Sequence, residues 1–331
     1  MMHCTNVPKA SIVILAYNAV STLNRIFDEA VMSALTQDYS NYEVMIIDNG
    51  SHDNTYEYAK TRYGDRAKVV KLPRNYGYCL GNNLSLKYID KDSKYILFQN
   101  PDAILARDYV RRLIEILEQK PDAVAAQGLE IQPSGHLRIG GSLNTAGYYC
   151  LVEVKHQQSN PLCLENLFAF GAALLVKREV FEAVGGFPPE YFLYYDEVDL
   201  GMRFRALGFR VLGCSHTCYV HFVQGTVSKL RGLTPIVLYF STRNRLLTVF
   251  RHFHGLYLAK ALVLNVIIML IHFIKGPAIR RRVILHIITT LIKRLRNTIR
   301  VRKTYVPYVK RRKVLEKFIK PWPRGTIIIA D

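Results

Sequence analysis

Over the first 120 residues the chain alternates two rhythms. Short, unbroken apolar runs come first: "SIVILAYN" (Ser11–Asn18), "YEVMIIDNGSHDNT" (Tyr42–Thr55), "AKVVKLP" and "SKYILFQNPDAIL". Runs this short that end abruptly in polar residues predict strands buried on both faces of a parallel sheet. Between them lie stretches with helical spacing. "STLNRIFDEAVMSALTQ" (Ser21–Gln37) opens on a capping serine, and "TYEYAKTRYG", "NYGYCLGNNLSLKYI" and "DYVRRLIEILEQ" follow the later strands. Strand–helix alternation predicts an α/β sheet with helices on both faces and ligands at the carboxyl ends of the strands. The polar clusters fall there: Tyr17 with Asn18, Asp48 with Asn49, and Asn100 with Asp102.

Beyond residue 235 the pattern changes. "LYLAKALVLNVIIMLIHFIK" (Leu256–Lys275) is strongly apolar and about as long as a bilayer-crossing helix, roughly 20 residues, but Lys260, Asn265 and His272 interrupt it. "IRRRVILHIITTLIKRLRNTIRVRK" then sets Ile, Leu and Val against Arg and Lys at helical spacing. That pattern predicts an amphipathic helix lying in an anionic membrane surface. Charge sharpens the division. Residues 221–331 hold 23 Lys and Arg against two acids, Glu316 and Asp331, while the formal net charge of the whole chain is +19. A near-neutral body thus carries a basic end that favours anionic partners. The basic end has few interleaved aromatics on which bases could stack, so nucleic acid is not expected as a partner. Residues 1–235 read as a catalytic domain and 236–331 as a basic, membrane-associating helical region.

The six cysteines, Cys4, Cys79, Cys150, Cys163, Cys214 and Cys218, form no C-x-x-C pair. They are expected to be free thiols in a reducing compartment. The N-terminal segment has no basic-then-apolar leader pattern. No G-x-G-x-x-G follows the first strand and no G-x-x-x-x-G-K-[ST] occurs, which disfavours a dinucleotide-dependent dehydrogenase and a P-loop enzyme.

The candidate chemistry is acidic. "YYDEVDLGMRFRALG" (Tyr194–Gly208) crowds Asp196, Glu197 and Asp199 into four positions of a basic chain. "FQNPDA" ends a strand in Asn100-Pro101-Asp102, and a carboxylate there suits a divalent metal bridging a diphosphate. In isolation each stretch also reads as a helix N-terminus or a turn.

In order along the chain, these motifs resemble the inverting glycosyltransferases of family 2, which have the GT-A fold. "SIVILAYN", "IIDNGSHDNT", "NYGYCLGNN", the N-P-D form of the metal motif at 100–102, "GAALLVKREVFEAVGGF" (expected as a strand), the acidic block from Asp196 to Gly208, "HFVQGTVS" and "STRNRLL" all match, over roughly residues 9–250. The N-P-D form with the Arg-Asn block looks most like bacterial rhamnosyltransferases of cell-surface polysaccharide synthesis.

The resemblance implies a Rossmann-like, mostly parallel sheet with a C-terminal basic helical extension. It implies transfer of one sugar, foremost L-rhamnose from dTDP-rhamnose, to a lipid-linked or polysaccharide acceptor such as a polyprenyl-diphosphate-linked glycan, at the cytoplasmic face of the cell membrane. UDP-GlcNAc, UDP-Glc and UDP-Gal are alternative donors, and a non-catalytic membrane scaffold of the same fold is an alternative role. Glu197 falls where the family's base lies, with Asp196 as the other candidate. Asp102 and His221 would hold Mg²⁺ or Mn²⁺. Tyr17, Asn18, Asp48, Asn75, Gly77, Asn83, Asn100 and Arg203 would contact the nucleotide-sugar, while Asp199 would start a helix and pair with Arg203. A processive synthase would carry Q-x-x-R-W, whereas the only Trp here is Trp322.

Overall fold

In the computed structural model, residues 7–155, 161–223, 235–323 and 325–329 are described. The four apolar runs form strands β1 (Lys9–Ala16), β2 (Tyr42–Asp48), β3 (Lys68–Lys71) and β4 (Ser93–Gln99). They pair in parallel in the order β3-β2-β1-β4. Strand period 2 sends alternate residues to opposite faces. Val13, Leu15, Met45 and Ile47 join one core, and Ile12, Ile14 and Ile46 join the other.

The expected first helix is two, α1 (Ala19–Leu23) and α2 (Arg25–Leu35), because Asn24 between them takes a positive φ of 51°. Helices α3 (Thr55–Tyr63) and α4 (Gly77–Ser85) follow β2 and β3. Beyond β4 come β5 (Ala103–Leu105), α5 (Tyr109–Gln119), β6 (Ala123–Ile131), β7 (Leu137–Asn144), β8 (Tyr149–Val154) and β9 (Cys163–Asn166). Residues 171–187 are not one strand but β10 (Ala173–Lys177), antiparallel to β4, and α6 (Arg178–Ala183). Helix α7 (Asp196–Leu207) and strand β11 (Arg210–His221) complete the body, and β11 pairs with β5, β6 and β9.

The C-terminal region is α8 (Pro235–His252), α9 (Gly255–Lys275), α10 (Ala278–Arg311) and α11 (Val314–Phe318). It is not helical throughout. Strands β12 (Ile319–Lys320) and β13 (Thr326–Ile329) add to β7 and β8, returning the chain to the main sheet. Helix α9 is long and apolar enough to cross a membrane by length and composition.

The free-thiol expectation fails at one pair. The antiparallel register of β9 and β11 sets Cys163 opposite Cys214, and the two form a disulfide with His216 beside it. Cys79 and Cys218 are free thiols; Cys4 lies outside the described residues.

Candidate active site

Polar side chains gather along the carboxyl edge of the parallel strands. Asp48 ends β2 fully buried; its Oδ1 accepts from the Ser51 amide at 3.2 Å. Its Oδ2 is buried with no partner among the described residues, and burial raises its pKa. An acceptor held in that state is ready for an N–H donor from outside the chain. Asn18 is left-handed (φ 49°), its Oδ1 accepts from the His52 amide at 2.9 Å, and Tyr17 meets the His52 ring edge-on. A cavity of about 430 Å³, lined by Ser51, His52, Lys71, Arg74 and Asn75 among others, opens beside them.

Asn100 and Pro101 turn the chain after β4, and the Asn100 amide donates to Ala172 O. Asp102 is buried, with His221 Nε2 3.5 Å from its Oδ1. His221 Nδ1 lies 2.7 Å from Glu130 Oε1. Burial alone would lower the His221 pKa, but Asp102 and Glu130 raise it to about 9. Glu130 was not expected from the sequence. Its signal lies in the pairing of β6 with β11, which no local motif records. A carboxylate on Nδ1 directs Nε2 toward Asp102, the arrangement that orients a metal-ligating imidazole. A carboxylate and an imidazole also form a donor set suited to Mn²⁺. The residues present therefore fit a divalent metal. The continuation of the His221 motif, residues 224–228, lies outside the described residues.

Across the edge, Asp196 and Glu197 occupy the first turn of α7, where the helix dipole favours acids. Both are buried. Burial and the Glu197 charge push the Asp196 carboxyl well above the usual range. Burial also raises Glu197, but backbone N–H groups, Asp196 and Tyr149 partly offset it. Both carboxyls are thus pushed upward, Asp196 the further. Tyr149 Oη donates to Glu197 Oε1 at 3.2 Å and accepts from the Tyr195 amide at 3.0 Å, and its ring stacks on Tyr195. Tyr149 too was missed, because it sits in a segment whose sequence carries no legible motif.

Not every expected site residue joins this edge. Asp199 pairs with Arg203 at 2.8 Å, as the i,i+4 spacing implies, and that pairing takes Arg203 away from any nucleotide-sugar. Arg203 is buried and also donates to Val184 O. Asn83 is likewise structural: its amide donates to Phe187 O and accepts from Phe187 N. Asn75 Oδ1 accepts from the amides of Gly77 and Asn49. Gly77 has φ +74°, and a Cβ there would lie 2.5 Å from Phe192 O. Its missing side chain thus lets α4 approach the loop that precedes Asp196.

A mostly parallel sheet with polar side chains gathered at its carboxyl edge, an Asp102–His221 pair and an Asp196–Glu197 pair match the GT-A architecture of glycosyltransferases. The chain belongs to glycosyl transferase family 2, whose model matches residues 11–185. It is 22% identical over 213 residues to the low-salt glycan biosynthesis hexosyltransferase Agl10 of Haloferax volcanii, covering 62% of this chain and 66% of that protein. It is 25% identical over 189 residues to the N-acetylglucosaminyl-diphospho-decaprenol L-rhamnosyltransferase of Mycobacterium tuberculosis, covering 50% and 61%. Across such relatives the matches span from 18% to 66% of the relative's own length. Among solved structures, S. aureus TarS (residues 1–349, with UDP-GlcNAc) superposes with a TM-score of 0.59 at 14% identity, covering 93% of this chain and 91% of that one. The mannosyltransferase PcManGT of Pyrobaculum calidifontis, with GDP-Man and Mn²⁺, superposes at 0.54 and 15%, covering 95% and 89%. At these identities the likeness is one of fold.

Proposed function

We propose that the chain is an inverting, metal-dependent hexosyltransferase. It moves one sugar, foremost L-rhamnose from dTDP-rhamnose, from a nucleotide-sugar to a lipid-linked acceptor in cell-surface glycan synthesis. The observation that carries this reading is the Asp196–Glu197 pair in the first turn of α7, together with the Asp102–His221 pair just beyond β4. The similarity to a rhamnosyltransferase acting on a decaprenyl-diphosphate-linked acceptor supports the choice of sugar and acceptor.

Glu197 is the base. Its carboxyl is raised less than that of Asp196, and Tyr149 donates to its Oε1. As an acceptor hydroxyl attacks the anomeric carbon, Glu197 takes its proton. The pair places acidic groups near the oxocarbenium-like centre. Asp48 Oδ2 accepts the ring N–H of a uracil or thymine. Tyr17, Asn18 and Asn75 border the nucleotide, and Asn100 shapes the turn that presents Asp102. Asp102 and His221 would hold Mn²⁺ or Mg²⁺, with Glu130 orienting the imidazole; bound there, the metal supplies positive charge to the leaving diphosphate.

The C-terminal helices seat the enzyme on an anionic membrane at its cytoplasmic face. Exposed Val263, Ile267, Leu270 and Ile274 of α9 repeat at three- and four-residue steps, as do Leu285, Ile288, Ile292, Leu295 and Ile299 of α10. Both helices are tied to one body. Asn265 donates to Ala146 O and accepts from Arg245, Thr290 meets Tyr239, and Asn297 donates to Glu190. Between Arg282 and Lys293 lie ten residues, about 15 Å of helix, half the hydrocarbon thickness of a bilayer. A return crossing through that segment is too short, which favours a hairpin lying in the interface plane.

The test is a transfer and donor-hydrolysis screen with Mn²⁺ over dTDP-rhamnose, UDP-GlcNAc, UDP-Glc and UDP-Gal. Glu197→Gln should lower kcat by roughly 10²–10⁴-fold, the span of general-base contributions, with nucleotide binding retained. Asp102→Ala should lose the Mn²⁺ dependence. Binding of a donor with no turnover in any variant would point to a missing acceptor. Absence of donor binding would sink the catalytic reading in favour of a scaffold.

A further inference from the structure

The acids of α7 are reached through an unusual piece of backbone. Phe192, Tyr194 and Tyr195 have φ of 65°, 68° and 64°, and none is glycine. Left-handed conformations at three bulky residues in four positions persist only where the surroundings over-determine them. The turn ends at Tyr195, whose carbonyl accepts the first bond of α7, from the Asp199 amide. Its shape therefore sets the direction in which Asp196 and Glu197 leave the backbone.

One side chain addresses this turn almost entirely. Asn244, fully buried on α8, directs Nδ2 at the carbonyls of Tyr191, Leu193 and Tyr194, at 3.0, 2.8 and 2.9 Å. Three acceptors converge on one amide that has two hydrogens. Arg243 fixes which way that amide faces, because its Nε donates to Asn244 Oδ1 at 2.9 Å. The Arg243 Nη2 adds bonds to Glu190 O and Tyr191 O, and its guanidinium lies over the rings of Tyr239 and Phe240. Phe240 in turn stacks on Phe192 at 5.1 Å. From the opposite side, the Tyr78 amide donates to Phe192 O at 2.7 Å and Tyr149 accepts from the Tyr195 amide. Among the described residues, Asn244 and Arg243 make no hydrogen bond to Asp196 or Glu197.

We infer that Asn244, oriented by Arg243, is a positioning residue for the Asp196–Glu197 pair, holding the left-handed turn that aims Glu197 at the acceptor hydroxyl. The inference rests on the reading of Glu197 as base. It requires that loss of the Asn244 amide act on the chemical step and on the proton affinity of the pair, while the nucleotide cleft around Asp48 keeps its affinity.

The experiment uses the full-length protein with Mn²⁺ and whichever of the four donors it turns over. Asn244→Asp keeps the shape but removes the N–H donors; Asn244→Ser shortens the group; Arg243→Lys keeps the charge but loses the fork that orients the amide. For each, kcat, donor KM, the affinity for Mn²⁺ with UDP or dTDP, the acid-side midpoint of kcat/KM against pH, and the melting temperature are measured. The expected result is a kcat lower by 10–100-fold in Asn244→Ser with KM and nucleotide affinity within about twofold, together with a displaced acid-side midpoint. Relaxation of the turn admits water to the pair, so that midpoint moves down toward the ordinary carboxylate range. Arg243→Lys should show the same signature more weakly. Should both Asn244 variants fail to fold, Arg243→Lys decides the matter. Wild-type kcat and midpoint in a folded variant overturn the inference. So does a loss of activity matched by loss of folded protein with the midpoint unmoved. Glu197→Gln separates the two ideas: if it stays active, the base assignment has failed, whereas if it is dead while the Asn244 variants are normal, only the positioning role has failed.

Discussion

At the scale of single residues, burial is what turns an acid-rich helix start into chemistry. Asp196 and Glu197 would titrate as ordinary carboxylates if α7 began at the surface. Desolvation raises both, Asp196 further than Glu197. The Tyr149 hydroxyl donates to Glu197 and offsets part of its rise, so removing it raises the Glu197 pKa further. Tyr149→Phe should therefore shift the acid limb of kcat/KM to higher pH by up to about one unit, since one unit is worth 1.36 kcal/mol and a hydrogen bond to a charged group contributes about 1.5 kcal/mol or more. A pH series on the two enzymes checks it; an unshifted limb would mean that Tyr149 does not hold the base. The sequence alone set Glu197 and Asp196 side by side but could not rank them. The ranking depends on a tyrosine 48 residues away and on burial that only the folded chain creates. Asp48 and Asp102 were legible because each ends an apolar run at the sheet's carboxyl edge. Glu130 was not, since it sits inside a buried strand and meets His221 only through strand pairing.

Among elements, α7 carries two opposite electrostatic designs one turn apart. Asp199 instead sits in a buried cluster of basic side chains. Arg203 lies at 2.8 Å, Arg251 at 3.3 Å and the His252 ring at 3.1 Å, with Glu190 joined to Arg251. Burial alone would raise the Asp199 pKa, but Arg203, Arg251 and His252 hold it far below the usual range. The sign follows directly. A depressed carboxylate contributes stability that is fully present above its unfolded pKa, near 3.9, and is lost as pH falls from there toward the folded value. Urea unfolding should thus show a plateau in this contribution from pH 7 to about 4 and a decline below. Asn in place of Asp199 leaves buried arginines unpaired, and its cost at pH 7 should be about 3–5 kcal/mol. A cost under about 1 kcal/mol would mean that the cluster is solvated and contributes little. The i,i+4 spacing of Asp199 and Arg203 announced their pair. The arrival of Arg251 and His252 from α8 depends on helix packing across about 50 residues and left no local trace.

For the whole molecule, the exposed apolar stripes and the basic charge lie on the same two helices. Of 20 large hydrophobic side chains exposed among the described residues, 14 belong to α9 and α10. A soluble surface does not usually collect them so. Arg280, Arg281 and Arg282 stand at the tip of the hairpin and Lys293, Arg294 and Arg296 further along α10. Partition into anionic vesicles should then have two separable components. Ile288→Glu with Ile292→Glu weakens binding at every salt concentration, because it removes burial that salt does not screen. Replacing Arg280, Arg281 and Arg282 with Ser lowers binding by roughly a hundredfold at low salt, at about 1 kcal/mol per cation. That loss shrinks toward 1 M salt, where the screening length is about 3 Å. Flotation on vesicles with and without anionic lipid measures both, with alkaline extraction to tell an in-plane hairpin from a span. Binding that ignores salt and anionic lipid, and resists extraction, would instead make α9 a crossing helix. Tyr239 of α8 meets α10 at Thr290 and His286, while Asn244 of the same helix bonds the turn before Asp196, so one helix touches both regions.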